Sequence, residues 1–429
     1  MPLSDLRASA GRLGLACAVI FLLLAHLSGC GGAVPTPESV TIAFVYPEAD
    51  ADHYEPLVQE FSERYPYIAL ELRPTTWDVL ADLSADDADV FAPGVFTIRR
   101  LQEQGEILSL DPFIEQDASF ELADFYPGTI ELLTSEGKTW AIPVGIDMNV
   151  MYYSRDLFDQ YGVPYPESGW TWDDFLDSAL AIRDPDAGVF GYTTIPGYAD
   201  TYVFVYQHGG RIFDDPRDPT RTTFDDPLTV EALEWYARLF HEYDVAPTQK
   251  EARAAFGGGQ YGFYEGLRHG KAGMWMLTLS DRGGLTWPVE WYVDWGMAPL
   301  PRDVYPVTNI WGDEGYAISS QTQHPDACWQ WILFLSKHMH YRLMPARRSL
   351  AESAAYEQLV GREVASVARA SMENVVAVSS WNWFDFLEAM EIYEEAVDQI
   401  VNGDATPQEA MDWAQREAER VNPSSSATP

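Results

Sequence analysis

The stretch SVTIAFVYPEADADHYEPLVQEFSERYPYIALELRP, residues 39–74, constrains this chain more than any other. Residues 40–46 are a short β-rich run, Leu57, Val58 and Phe61 recur at helical spacing, and Ile68, Leu70 and Leu72 alternate. Strand, helix and strand in so little chain predict a parallel α/β sheet. A third strand is expected over 88–91 in ADVFAPG. A helix should begin near Val95 and stop before Gly105.

The rest of the chain continues the alternation. GKTWAIPVGIDMNVMYYSRDLF reads as a strand entry, a strand through Tyr153 and a short helix. A further helix opens at Trp172, with Thr171 as its cap and Asp173 and Asp174 in its positive first turn. HGGRIFDDPRDPTRTTFDDPLTVEALEWYARLF is a turn-rich loop and then an amphipathic helix over 228–240. AAFGGGQYGFYEG reads as a flexible connection. GMAPLPRD and TNIWGDEGYAI supply strands, the second followed by a helix. Two closing helices are divided by Gly403 and Pro407, and the tail 421–429 has nothing to bury and is expected to be disordered.

Ahead of the first strand, Arg7 and Arg12 precede an apolar run over 13–27. A bilayer-spanning helix wants about 20 apolar residues, so this run is short for a permanent anchor, and its layout is that of a secretory signal. Leu27-Ser28-Gly29-Cys30 resembles the bacterial lipobox. The resemblance implies removal of residues 1–29, a lipidated Cys30, residues 31–39 as a flexible spacer, and a protein tethered to the cell membrane, facing the periplasm or the extracellular space. An ordinary signal peptide that happens to precede a cysteine is the plainer alternative. Cys17 would leave with the leader, so Cys328 would have no intrachain disulfide partner, and it is expected in a packed helix.

Composition narrows the ligand class. Acidic residues outnumber Lys and Arg by 66 to 27, a formal net charge of −39, and Lys138, Lys250, Lys271 and Lys337 are the only lysines. Such a surface repels nucleic acid and anionic lipid and favours a neutral or cationic ligand. The acidity itself reads as an adaptation for solubility or salt. Enzyme and metal motifs do not hold up. Asp214, Asp215, Asp218, Asp225 and Asp226 lack the glycine and glutamate of a calcium loop, because Pro219 and Asp225 occupy those positions. HEYDV at His241 has Val245 where a zinc protease has its second histidine, and His338 and His340 have no further ligand nearby in sequence. No phosphate loop and no Gly-x-Ser-x-Gly elbow occur. No metal, cofactor or nucleic acid is expected.

Taken in order, several segments resemble the extracellular solute-binding proteins of ABC importers, in the sugar-binding group that includes maltose-binding protein. GKTWAIPVGIDMNVMYYSRDLF resembles the family's proline-containing entry to a strand that ends in Tyr-Asn-Lys, with Ser154 and Arg155 in place of Asn-Lys. GWTWDDFLDSA resembles its Thr-Trp-Glu-Glu-Phe helix start. EGLRHGKAGMWM, GYAISSQTQHPDACWQWILFL and NGDATPQEAMDWA resemble three later family segments. The resemblance covers nearly the whole chain after the leader. It implies an α/β, two-lobed periplasmic-binding-protein fold of type II with a hinge and a central ligand cleft. Lobe one would comprise 40–145 and 317–345, lobe two 146–312 and 350–420. It also implies a monomeric, non-enzymatic receptor for a small-molecule ligand, a mono- or oligosaccharide, that delivers to an ABC permease. A cell-surface carbohydrate hydrolase, which needs only two carboxylates across a cleft, and a polyamine or peptide receptor are the alternatives.

Sugars offer hydroxyl edges and apolar faces, so carboxylates and flat aromatic rings are the side chains to look for. The chain holds 15 Trp and 23 Tyr. Loops at strand C-terminal ends face the cleft in this architecture, which points to Tyr46 and Glu48, with Pro93 and Gly94 in the next such loop. The resemblance puts Asp147 at the first crossing, where the family often places a carboxylate on the ligand, and Tyr198 and Asp200 in the next ligand loop. Trp311 and Asp313 flank Gly312 in the second crossing, with Trp311 either a cleft platform or hinge packing. Of Trp381 and Trp383, whose spacing points them to different faces, one is expected on the ligand. Trp275 suits either cleft or core, and Arg347 is a further candidate donor.

Overall fold

The computed structural model describes residues 39–194, 198–216, 218–257, 262–284, 291–311, 314–377 and 384–422. Within the unit Thr41–Pro429, the described strands form two large sheets and one small hairpin. The strands are β1 (Val40–Pro47), β2 (Ile68–Thr75), β3 (Val90–Phe91), β4 (Thr134–Ser135), β5 (Lys138–Thr139), β6 (Ile142–Pro143), β7 (Asp147–Ser154), β8 (Phe190–Thr193), β9 (Ala272–Thr278), β10 (Trp295–Ala298), β11 (Thr308–Trp311), β12 (Gly315–Ile318) and β13 (Val375–Ala377). The first sheet runs β2-β1-β3-β12-β6 and the second β13-β11-β7-β9-β8, with β10 also on β7; β4 and β5 make the hairpin.

In the first sheet β1 lies parallel to β3, and both faces of β1 are buried, as a central parallel strand requires. Ala43 and Val45 point into a core with Leu80, Phe91, Val95, Ile98 and Leu101. Phe44 and Tyr46 point the other way into an aromatic pile, where Phe44 meets Tyr54 and Trp331 edge-on at 5.0 and 5.7 Å. The helix Ala51–Arg64 closes that side through Tyr54 and Phe61, and the helix Pro325–Leu335 packs Trp331 against Phe61. The buried Cys328 sits in this second helix, with burial pushing its thiol up to about 12.

The second sheet is built on β7, every residue of which is buried. It pairs antiparallel with β9 from Asn149 to Tyr153 and, on its other edge, with β11 at its start and β10 at its end. A second core gathers around it from the helices Trp172–Ile182, Asp200–His208, Pro227–His241, Leu387–Asn402 and Pro407–Val421. The helix starts follow local chemistry. Thr171, Thr248 and Thr406 each form a capping box with the acid three residues on, and Asp226 caps the helix behind the acidic turn. Asp214 is spent inside that turn, accepting from the Thr220 and Arg221 amides and from the Thr220 hydroxyl.

One stretch departs from the sequence reading. Either side of residues 258–261, which lie outside the described residues, the helices Gln249–Phe256 and Gly262–Arg268 take in 254–256 and 262–266 of the stretch AAFGGGQYGFYEG, where a flexible connection was expected. The Thr248 capping box accounts for the first of them.

Helix and sheet meet most tightly at Gly191 in β8. A Cβ there would lie 2.1 Å from the carbonyl oxygen of Ala179 on the helix Trp172–Ile182. Backbone cannot give way as a flexible side chain can, so Gly191→Ala is predicted to destabilise the protein by about 2–4 kcal/mol. Urea unfolding measures this. An alanine variant within about 0.5 kcal/mol of the parent would show that the helix is not seated as described.

Candidate functional site

Chain passes between the two sheets where β6 leads to β7, where β11 leads to β12, and again near Met344. These segments lie against one another. The Val144 amide donates to the Glu314 carbonyl, and Ile146 and Met344 exchange both backbone hydrogen bonds. Asp147 is the first residue beyond the first crossing, opposite Trp311 of β11.

The Asp147 carboxylate is buried but richly bonded. Oδ1 accepts from the Ser280 amide at 3.0 Å and the Met148 amide at 3.0 Å, and Oδ2 accepts from the Ser280 hydroxyl at 2.6 Å. Ser280 follows β9, and the next residue, Asp281, folds back to accept from the Thr278 amide and hydroxyl. Burial raises the Asp147 carboxyl to about 6, and the charge of Asp281 adds to this; the Ser280 hydrogen bonds pull the other way. Arg282, also buried, turns towards the hinge and donates to the carbonyls of Leu279, Tyr341 and Arg342.

On the side of the first sheet, a turn of 3-10 helix, Glu48–Asp50, follows β1. Glu48 is exposed, whereas Asp50 is buried and takes the Nε and Nη2 of Arg342 at 3.0 and 2.9 Å. Arg342 also reaches Glu314 at 3.1 Å, and His340 stands 3.4 Å from Asp50 with its ring 4.3 Å from that of His53. Burial opposes the Asp50 charge, yet the hydrogen bonds and charges of His340 and Arg342 hold its carboxyl well below the usual range. Burial and the neighbouring His340 push His53 down to about 3.

The remaining candidates divide. Tyr46 is buried in the aromatic pile behind Glu48. Tyr198, Asp200 and Trp275 are held in packing, Trp275 on the core side of the two places open to it. The Asp200 carboxylate, fully buried, takes the hydroxyls of Thr194 at 2.7 Å, Tyr236 at 3.0 Å and Tyr192. Tyr198, with a φ of 55°, bonds Asp398 at 3.1 Å. Trp275 is wholly buried, parallel to Tyr152 and edge-on to Trp291. Arg347 is likewise spent on the carbonyls of Phe120 and Ser336. Asp313, Trp381, Trp383 and Cys30 lie outside the described residues, and of Trp311 only the backbone is described.

Sequence reasoning missed the support for Asp147. SDRGG directly after a strand is a polar turn at a strand end, and that was the available signal for Ser280 and Asp281. It also missed Trp77 and Phe96, which start the helices after β2 and β3 and stay 48% and 50% exposed.

The family profile of bacterial extracellular solute-binding proteins matches residues 48–339. The chain belongs to that family. Among relatives of this solute-binding chain, the arabinooligosaccharide-binding protein of Halalkalibacterium halodurans is 25% identical over 39% of this chain and 34% of its own length. The mannitol-binding protein of Pseudomonas aeruginosa is 26% identical over 56% of this chain and 54% of its own. The chain thus spans between a third and about half of the length of these relatives. Solved structures share the two-lobed fold. An ABC substrate-binding protein of Listeria monocytogenes in complex with cycloalternan superposes with a TM-score of 0.70 at 21% identity, covering 89% of this chain and 99% of that one. The sugar-binding protein MalE of Xanthomonas citri gives 0.70 at 18%, covering 90% and 98%. Among the described residues no helix is long and apolar enough to cross a membrane, and no group of His, Cys, Asp and Glu is placed to hold a metal.

Asp147 carries a stability cost with a definite sign. Its folded value, about 6, lies above its ordinary 3.8, so its contribution to stability is present below the lower value and lost as pH rises through the upper one. At neutral pH the cost is on the order of 3 kcal/mol. Asparagine can still accept from the Ser280 amide. Asp147→Asn is therefore predicted to raise the melting temperature near pH 7.5 and to leave it nearly unchanged near pH 4. Thermal unfolding across this range decides it, and equal destabilisation at every pH would contradict the assignment.

Proposed function

We propose that this protein is the lipid-anchored, substrate-binding component of an ABC transporter, that it binds a neutral carbohydrate or polyol between its lobes, and that it performs no chemistry on it. The observation that carries the reading is Asp147, a buried carboxylate oriented by Ser280 and Met148 at the point where chain crosses between the sheets. A carboxylate is the group that accepts from sugar hydroxyls, and here its orientation is fixed before any ligand arrives. Trp77 and Phe96 supply apolar rings for C–H faces, and the acidic surface disfavours an anion. Family membership and the sugar and polyol ligands in the names of its relatives point the same way.

Lobe one is taken as 40–145 with 317–345, and lobe two as 146–312 with 350–420. Glu48, Asp147, Trp311, Asp313 and one of Trp381 and Trp383 are the proposed contacts from the sequence, with Trp77 and Phe96 added from the structure. Removal of residues 1–29 and lipidation of Cys30 would keep a monomeric receptor beside its membrane permease, since a doubly or triply acylated end stays bound where a single chain does not.

A ligand that binds only the folded state stabilises it by RT ln(1 + [L]/Kd) and so raises the melting temperature. Purified protein screened against mono-, di- and oligosaccharides, polyols, polyamines and peptides is predicted to shift with one sugar or polyol class and to leave that sugar intact. Asp147→Ala should abolish the shift, a loss of at least about 2 kcal/mol of binding. A shift with polyamine or peptide alone would overturn the carbohydrate assignment, and hydrolysis of the sugar would overturn the receptor.

A further inference from the structure

Away from the hinge, the two cores are joined by an ion pair. Arg99 stands on the helix Val95–Glu103, whose Val95, Ile98 and Leu101 belong to the core of the first lobe. Asp385 stands in the turn Phe384–Phe386, beside Phe386 of the second lobe's core. Arg99 Nη2 donates to Asp385 Oδ1 at 2.6 Å, while its Nε donates to Glu103 Oε1 at 2.8 Å. The two contacts differ in kind. Glu103 is one turn along on the same helix, so it holds the guanidinium in place whatever the lobes do. Asp385 reaches it only when the lobes are together.

Both ends of the pair are prepared. The Arg99 side chain retains 13% of its exposure, although Asp385 retains 66%. The Asp385 carbonyl accepts from the Asn422 side chain, which ties the turn to the end of the last helix. The surrounding charge gives the pair its purpose. With a net charge of −39, a cation held at the seam opposes the like-charge repulsion that the chain as a whole favours.

We propose that Arg99 and Asp385 are a clasp that biases the cleft towards its closed form. A partly exposed ion pair adds little to the stability of a fold. Between two forms of similar free energy, however, a contact made in only one of them shifts the populations by its whole strength, which here amounts to several-fold. The clasp rests on the hinged two-lobed fold and not on the choice of ligand.

Small-angle X-ray scattering of the purified full chain without ligand tests this in the parent, Arg99→Glu, Asp385→Arg and the doubly reversed protein. Each single reversal sets like charges face to face and should increase the radius of gyration. The double reversal restores an attractive pair and should return the radius to that of the parent, and at about 1 M salt the single variants should move back towards it. Equal radii in all four proteins, or a double variant as expanded as the singles, would overturn the clasp. Thermal unfolding of each protein checks that it folds, and should a reversal fail to fold, Arg99→Gln and Asp385→Asn repeat the comparison. No sugar enters the measurement, so failure of the carbohydrate assignment and failure of the clasp are separate results.

Discussion

Chain that passes repeatedly between two sheets must keep its crossing peptide groups hydrogen-bonded and still let the sheets turn against each other. Here the crossings satisfy one another, through the bond from Val144 to Glu314 and the reciprocal pair of Ile146 and Met344. They run so close that a Cβ on Gly145 would lie 2.6 Å from the Cβ of Leu343. Two buried arginines then hold one short segment from opposite sides. Arg342 reaches Asp50 beside the first sheet, and Arg282 beside the second takes the carbonyls of Tyr341 and Arg342. Removing one partner of a buried charge pair leaves the other stranded at a cost of several kcal/mol, so this arrangement fixes the register of the hinge. The position of Asp147 follows from that register.

The carboxylate at the crossing is at odds with its own surroundings. A buried acid beside a second acid, Asp281, is worse for the empty protein than an amide would be, and hydrogen bonds, chiefly those of Ser280, offset it in part. Such local cost at a point of contact is typical of sites selected for binding and not for stability. Asp200 shows the contrast. It is fully buried, and its donors are three hydroxyls of the second core, those of Tyr192, Thr194 and Tyr236, where Asp147 takes two backbone amides and one hydroxyl beside the crossing.

Much of the fold was legible in the sequence because it is written in local terms. The period of Leu57, Val58 and Phe61, the cap at Thr171, and the stops at Gly105 and Gly403, both with positive φ, all report on a few neighbouring residues. The site was legible only in part. Asp147 stood out through its place in a recognisable segment, whereas Ser280 is brought to it from 133 residues away by the pairing of β7 with β9. The same distance separates what Trp275 and Trp77 share in sequence, each a tryptophan near a strand, from what tertiary packing makes of them. One is sealed between Tyr152 and Trp291, and the other stands half in water. No local pattern distinguishes such pairs.

In the site we propose, one ligand touches both lobes at once, at the strand ends on either side of the crossings. Hydrogen exchange read by mass spectrometry, with and without the sugar that binds, tests it most directly. Slowed exchange is expected together at residues 47–52, 75–79 and 93–97 of the first lobe and at 147–149 and 279–282 of the second. Slowing confined to one lobe, or to surfaces away from these strand ends, would contradict it.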